Sequence, residues 1–392
     1  MLSARAARLK ESATIKVSGA AKRMIAEGVD VINLSMGEPD YNTPEHIKQA
    51  AHAAIDANHT HYTINRGIPA LREAVCRRLK ADFNVDYTAD QVIVSSGAKQ
   101  SLFNIIMALV DEGDEVLLPY PAWPTHPEAI GIAGGKVVPL YTDEKSHFKI
   151  TPRQLEEAIT PQSRMLLFSN PVNPTGMAYN DSEVAALVDV LKKHHLYILS
   201  DEIYARLCYD GLAYRSMASF PEIYDRVILV QGVSKAYAMT GWRIGFSCGP
   251  AAIMKAADKI QGHSTSNASS IAQYAALAAV DGPQDALDDM LATYAKRRTY
   301  IMQRFAAMPG VHYVEPQGAF YLFPNINGVL TDTVDTSEKL ALYLLEEAHV
   351  AVVPGIGFGA EGFLRISYAA SMEQLEEACD RIEKALNKLR KA

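Results

Sequence analysis

The sequence is short of the residues and runs that mark several large classes of protein. Among its 392 residues are four cysteines and two tryptophans. Cys76, Cys208, Cys248 and Cys379 stand far apart, with no C-x-x-C pair. This pattern builds neither a disulfide framework nor a zinc knuckle, and predicts reduced thiols in a cytoplasmic protein. No apolar run approaches the roughly 18 residues that a membrane helix needs. The opening stretch "MLSARAARLKESATIKVSG" has no apolar core, so no signal peptide is expected. There is no long basic block, and the formal net charge is −7, which argues against a nucleic-acid partner. The basic tail "NKLRKA" closes a helix, where cations suit the helix dipole. No internal repeat or low-complexity linker breaks the chain.

What is present is apolar and evenly spread. Hydrophobic residues make up 48% of the chain, enough for a large core in two domains or one large α/β unit. Residues 17–28, "VSGAAKRMIAEG", read as a helix stopped by Gly28. "VINLSMGEPD" (31–40) reads as a short strand entering a turn. Residues 44–57 and 68–81 read as helices, each with a proline in its first turn. From residue 90 short apolar runs recur: "QVIVSSG", "EVLLP", "KVVPL", "RMLLFS", "LYILSDE", "VILVQG" and "RIGFSCG". Helices such as 98–111, 181–194 and 251–261 lie between several of them. Continuous apolar strands suggest burial on both faces, and so a mostly parallel sheet between helices. After residue 284 come a long helix, the strand-like runs "GAFYLF", "VAVVPG" and "FLRISYA", and a last helix. Ser371 and Gln374 predict a capping box for that helix, and Leu375, Cys379, Ile382, Leu386 and Leu389 fall on one face. These elements read as a smaller α+β domain, joined by the N-terminal segment.

The chemistry concentrates around one lysine. Lys235, in "GVSKAYAMTGWRIGF" (232–246), follows a strand, at the edge where open α/β sheets place their ligands. An ordinary loop lysine would have polar neighbours. This one has Ala, Tyr, Ala and Met after it and Arg243 close by, so burial and a second cation would make its amine nucleophilic. A nucleophilic lysine at such a place points to a Schiff base, and so to pyridoxal phosphate.

That cofactor makes further demands. "SSGAKQS" (95–101) is a strand end, a glycine and a helix start, where the backbone N–H groups of Ala98 and Lys99 face an anion. Ser234 and Arg243 add a hydroxyl and a guanidinium to the same dianion. A pyridine nitrogen needs a carboxylate. Asp201 and Glu202 compete for that place at the end of "LYILSDE", and strand alternation lets only one of them meet the ring. Asn173, in "SNPVNPTG", and Tyr204 could donate to the ring oxygen. Trp123, in the proline-rich "PYPAWP", could stack on the ring.

Other motifs fail. "GIAGGKV" (131–137) is one residue short of a P-loop and lacks the following Ser or Thr. "GIGFGA" (355–360) fits a dinucleotide fingerprint, the basis for a nicotinamide oxidoreductase as the rival reading, but a strand follows it instead of a helix. His59 and His61 have no third partner at site spacing, so no metal site is predicted.

Taken together, "GAKQ", "NPVNPTG", "SDEIY", "SKAYAMTGWRIG" and "FLRISYA" resemble the class I aminotransferases of pyridoxal-phosphate fold type I, and among these the bacterial aspartate aminotransferases. The resemblance runs from about residue 5 to the C-terminus. It implies a large domain with a mainly parallel seven-stranded sheet and a small α+β domain. The divisions are an N-terminal arm at 1–43, a cofactor domain at 44–284 and a small domain at 285–392. It implies that Lys235 bonds the cofactor and moves the substrate proton, and that Asp201 pairs with the pyridine nitrogen. Asn173 and Tyr204 hold the ring oxygen, Trp123 stacks, and Ala98, Lys99, Ser234 and Arg243 hold the phosphate. Arg365 takes the substrate α-carboxylate in a bidentate fork, with the backbone N–H of Gly37 nearby. Tyr62 reaches the phosphate of a second copy, giving a homodimer with shared sites. Arg66 and Lys10 are candidates for a second substrate carboxylate. The implied reaction passes an amino group from an amino acid to a 2-oxo acid by ping-pong half-reactions, with aspartate or glutamate as donor and 2-oxoglutarate as acceptor. An aromatic or prephenate-type substrate, or β-elimination in the same scaffold, remains open at this point.

Overall fold

The computed structural model of the chain describes residues 3, 6–7, 9 and 13–391. Its strands are β1 (Ile32–Asn33), β2 (Val92–Ser95), β3 (Glu115–Tyr120), β4 (Lys136–Tyr141), β5 (Ser163–Ser169), β6 (Tyr197–Asp201), β7 (Val227–Gly232), β8 (Gly245–Cys248), β9 (Tyr321–Leu322), β10 (Val350–Ala351), β11 (Val353–Pro354) and β12 (Leu364–Ser367). Seven of them form one sheet in the order β2-β8-β7-β6-β5-β3-β4. Neighbours from β7 to β4 run parallel, and β8 alone is antiparallel to both of its neighbours. The inner strands β5, β6 and β7 are buried over Met165–Phe168, Ile198–Asp201 and Val227–Gln231. Their continuous apolar runs reflect helices on both faces. The edge strand β4 departs from the expected burial: Lys136, Pro139 and Tyr141 are exposed, because β4 has a partner on one side only.

The reversed strand decides where the site forms. Gly245, the first residue of β8, pairs with Ser95 at the end of β2 and with Gly232 at the end of β7. Arg243 therefore enters the sheet at the edge where the chain leaves toward Ala98 and toward Lys235. A parallel strand would have put Arg243 at the opposite edge. The approach is close enough to demand glycine: a Cβ on Gly245 would overlap the backbone of Ala98, and one on Gly232 would lie 2.9 Å from the Cα of Gly245.

Helices cover the sheet, and their ends follow local chemistry. Asn180 and Glu183 form a capping box at the start of Asp181–Leu191. Ser371 and Gln374 do the same for Met372–Leu389, whose residues Leu375, Cys379, Ile382, Leu386 and Leu389 are all buried, as their spacing predicts. The long helix spans Asp285–Ala306. Several helices stand outside the expected elements, among them Ser270–Asp281, Ser337–Ala348, Thr125–Ala133 and Pro152–Ala158. The first, "SIAQYAALAAVD", is so uniformly apolar that helical periodicity does not show.

The remaining strands form two small sheets. β1 pairs in parallel with β10, which ties the N-terminal segment to the C-terminal third of the chain. β12 lies between β11 and β9, antiparallel to both. Between β11 and β12, "GIGFGA" forms a short 3-10 turn at Gly355–Phe358, with no helix of the kind a dinucleotide-binding unit needs. No helix of the described residues is long and apolar enough to cross a membrane.

Candidate active site

A cavity of about 460 Å³ opens where β5, β6 and β7 end. Gly37, Ala98, Lys99, Trp123, Asn173, Asp201, Tyr204, Ser234, Lys235, Arg243 and Arg365 all line it. The sequence spreads these residues over more than 300 positions, and strand ends bring them together.

Lys235 sits in the loop after β7, and its Nζ donates to the carbonyl of Gly37. Burial, and then the Arg365 guanidinium, push its amine down to about 8, while Glu38 and Asp201 pull the other way. An amine at that value is uncharged in a sizeable fraction of molecules near neutral pH, which a nucleophile requires. The Tyr204 ring lies 5.8 Å from the Nζ. Burial raises the Tyr204 phenol well above its ordinary value, so its hydroxyl stays a donor.

Strand geometry separates the two acids. Asp201 faces the cavity, and its Oδ2 lies 3.3 Å from Nε2 of the buried His126. Its Oδ1 accepts from the backbone N–H of Ile203 at 3.3 Å. Glu202 points the other way. It accepts from the hydroxyls of Ser200 at 2.8 Å, Ser216 at 3.0 Å and Tyr214 at 2.7 Å, and from the N–H of Met217 at 3.1 Å. Burial pushes its carboxyl up to about 7.

The opposite end of the cavity is built for an anion. Ala98 and Lys99 open the helix Ala98–Leu109, so their N–H groups have no acceptor within it, and no side chain caps that helix. Gly97 precedes them at φ +90, where a Cβ would overlap the Arg243 guanidinium. Arg243 donates to the carbonyls of Thr240 at 3.0 Å and Ser96 at 3.4 Å. Lys99 Nζ lies 4.8 Å from the Trp123 ring centroid, and burial followed by Arg243 lowers its amine.

Arg365 rises from β12 into the third side. It is buried, with its guanidinium 4.5 Å from the Tyr321 ring centroid. Nη1 donates to Asn173 Oδ1 at 3.0 Å and Nη2 to the carbonyl of Ser35 at 2.7 Å, while Nε is buried with no partner among the described residues. The amide oxygen of Asn173 thus turns to Arg365. Gly37 is there for space, since a Cβ would come 3.1 Å from the Tyr321 hydroxyl. Its carbonyl accepts from Lys235, where the expectation rested on its N–H.

Comparison with known proteins shows the family. The family model described as aminotransferase class I and II matches residues 29–382. The chain belongs to that family. The family is pyridoxal-phosphate-dependent, and the aminotransferase is an enzyme. It is 46% identical over 387 residues to an aspartate aminotransferase of Geobacillus stearothermophilus, covering 98% of both chains. An aspartate/prephenate aminotransferase of Cereibacter sphaeroides is 44% identical and covers 96% of both chains. Among solved structures, an aspartate aminotransferase from Rhizobium meliloti superposes with a TM-score of 0.95 at 41% identity, covering 99% of both chains. A nicotinamide oxidoreductase is thereby set aside.

Tyr62, expected to reach the site of a second copy, is 91% exposed and does not line the cavity of its own chain. Arg66 faces Asp258 at 3.7 Å and Asp90 at 4.0 Å, away from the cavity. Lys10 lies outside the described residues. In turn, residues that the motifs do not single out enter the aminotransferase's cavity, among them His126, Tyr321 and Glu38. The Tyr321 hydroxyl is 2.7 Å from that of Tyr204, and Glu38 Oε2 accepts from Thr240 Oγ1 at 2.8 Å.

The side chains fit pyridoxal phosphate in charge and in order. The glycine-floored helix start beside Arg243 suits a dianion, the Asp201 carboxylate suits a protonated ring nitrogen, and the depressed amine of Lys235 lines the same cavity.

Proposed function

We propose that this chain transfers the amino group of aspartate or glutamate to a 2-oxo acid, with pyridoxal phosphate held by Lys235 at the aldehyde carbon. The observation that carries this reading is the Lys235 amine, its charge disfavoured by desolvation, sharing one cavity with the buried Arg365 fork. The cofactor, when bound, supplies an electron sink that weakens the bonds at the substrate Cα. The rest is the work of the chain's own residues. Asp201, steadied by His126, keeps a proton on the ring nitrogen. Tyr204 and Asn173 would hold the ring oxygen, and Trp123 would pack against the ring. Ala98, Lys99, Ser234 and Arg243 neutralise the phosphate. Arg365 binds the α-carboxylate as a planar fork beside Gly37, which fixes the Cα–H bond relative to Lys235. Lys235 Nζ then moves the proton off Cα and later returns one.

Tyr62 of each chain reaches the phosphate of a second copy in a cytoplasmic homodimer. The exposure of Tyr62 and Ile64 on one segment supports this reading. The division into an arm at 1–43, a cofactor domain at 44–284 and a small domain at 285–392 is supported by the strand groupings, since the central sheet uses only residues 92–248. Prephenate as amino acceptor is a second reading, favoured by the aspartate/prephenate relative.

A half-reaction screen tests the proposal. The loaded enzyme is mixed with single amino acids, and the visible absorption of the lysine-bound cofactor is followed. Rapid loss with aspartate and glutamate is expected. Loss with no amino acid would overturn the proposal, and amino transfer to prephenate would establish the second reading.

A further inference from the structure

The segment 35–43 crosses the mouth of the cavity and is held from both sides. On the inside, the carbonyl of Ser35 accepts from Arg365 at 2.7 Å, the carbonyl of Gly37 accepts from Lys235, and Glu38 accepts from Thr240 at 2.8 Å. At its far end the Thr43 hydroxyl donates to the carbonyl of Ala238 at 2.7 Å and accepts from Trp242 Nε1 at 2.9 Å. On the outside, Asp40 meets Arg297 of the helix Asp285–Ala306 in a two-pronged ion pair, at 2.7 and 2.8 Å. Arg297 is buried, and its guanidinium lies between the rings of Tyr41 at 5.6 Å and Tyr294 at 5.5 Å. Tyr294 donates a weaker bond to the same carboxylate at 3.4 Å. Asp40 is three residues from Gly37, so little chain slack separates the ion pair from the carbonyl on Lys235.

We infer that Asp40 and Arg297 are positioning residues for the reaction: their ion pair holds the strap so that the Gly37 carbonyl stays on Lys235 Nζ. A fork-to-carboxylate pair fixes direction as well as distance, and packing between two rings limits its motion. The inference rests on the role given to Lys235 above, but its test can fail separately.

The consequence is electrostatic. The charged and titratable groups facing Lys235 are Arg365, Arg243, Glu38, Asp201 and the Tyr204 hydroxyl. The two guanidiniums and burial favour the neutral amine. Glu38 and the Gly37 carbonyl, both on the strap, favour the ammonium. Asp40 itself faces Arg297, Tyr294 and Tyr41, and Arg297 also feels Glu373. Releasing the strap removes Glu38 and the Gly37 carbonyl and leaves only Asp201 to favour the ammonium, so the lysine should lose its proton at lower pH.

The experiment uses the cofactor-free chain. The rate at which trinitrobenzenesulfonate modifies Lys235 is measured against pH by peptide mass spectrometry, in the wild type, Asp40→Asn, Arg297→Met, the double variant and Arg297→Lys. The wild-type midpoint is expected near 8. Asp40→Asn and Arg297→Met should each lower it by about half a pH unit or more, the double variant by no more than either single one, and Arg297→Lys by less. A lowered melting temperature with an unmoved midpoint in both single variants would overturn the inference, leaving the pair a structural tie. Should Asp40→Asn fail to fold, Arg297→Lys against the wild type decides in the same way. None of these readings depends on which amino acid the enzyme accepts.

Discussion

The Nη1 of Arg365 donates to Oδ1 of Asn173 at 3.0 Å, joining β12 to the turn that follows β5. That bond helps set the plane of the guanidinium, whose buried Nε has no partner among the described residues. Arg365→Lys cannot reproduce a planar fork, and should raise KM for every amino acid substrate and cut kcat/KM by about 10- to 100-fold, the equivalent of losing one charged hydrogen bond. Steady-state kinetics on acidic and aromatic amino acids check this. A loss confined to one side-chain class would show that Arg365 reads the side chain and not the α-carboxylate.

Glu202 should imprint a pH dependence on stability. Its carboxyl titrates near 7 in the folded chain against an ordinary value of 4.5. Between those values the folded state holds a proton that the unfolded state has released. Stability therefore falls as pH rises through this window, and the loss is complete above about 7. Glu202→Gln removes the titration and keeps an acceptor for Ser200, Ser216 and Met217. Urea unfolding of both proteins from pH 4.5 to 8 should show curves that diverge with rising pH, by at most roughly 3 kcal/mol. Parallel curves would refute it.

Gly97→Ala should damage the anion end alone. The new Cβ at φ +90 meets the Arg243 guanidinium, and the backbone strain adds about 1–3 kcal/mol. Titration of the cofactor-free chain with pyridoxal phosphate should show affinity down by about 10- to 100-fold. Unchanged affinity would mean the phosphate binds elsewhere.

A shared site can be tested by mixing. A Tyr62→Ala chain keeps Lys235, and a Lys235→Ala chain keeps Tyr62. A hybrid dimer of the two would hold one complete site, so activity should recover to about half that of the wild-type dimer, while either variant alone stays weak. No recovery on mixing, with hybrids verified by native mass spectrometry, would count against a site built from two chains.

Much of the site was legible because its chemistry sits in unusual local company. Lys235 stands in an apolar run between Ser234 and Arg243, and Asp201 ends a strand with no other reason to carry an acid. His126 had no such mark. It lies in the first turn of the helix Thr125–Ala133, and only its approach to Asp201 gives it a role. Tyr321 looked like one more aromatic of an apolar strand until β9 was set beside β12. Arg66 differs again: nearness in sequence to Tyr62 suggested a site, and within its own chain its guanidinium faces Asp258 and Asp90. The two acids at 201 and 202 were separable in principle by alternation, yet only the ring of donors around Glu202 shows which one faces inward.

The reversed strand β8 also bears on the order of folding. Its pairing with β2 joins residues 92–95 to 245–248, and the same pairing sets the phosphate cradle beside the lysine loop. Contacts so distant along the chain form slowly, because a long loop must close before anything is gained. Cofactor uptake during refolding is therefore a clock for the closing of that edge of the sheet, and should lag behind signals from the helices.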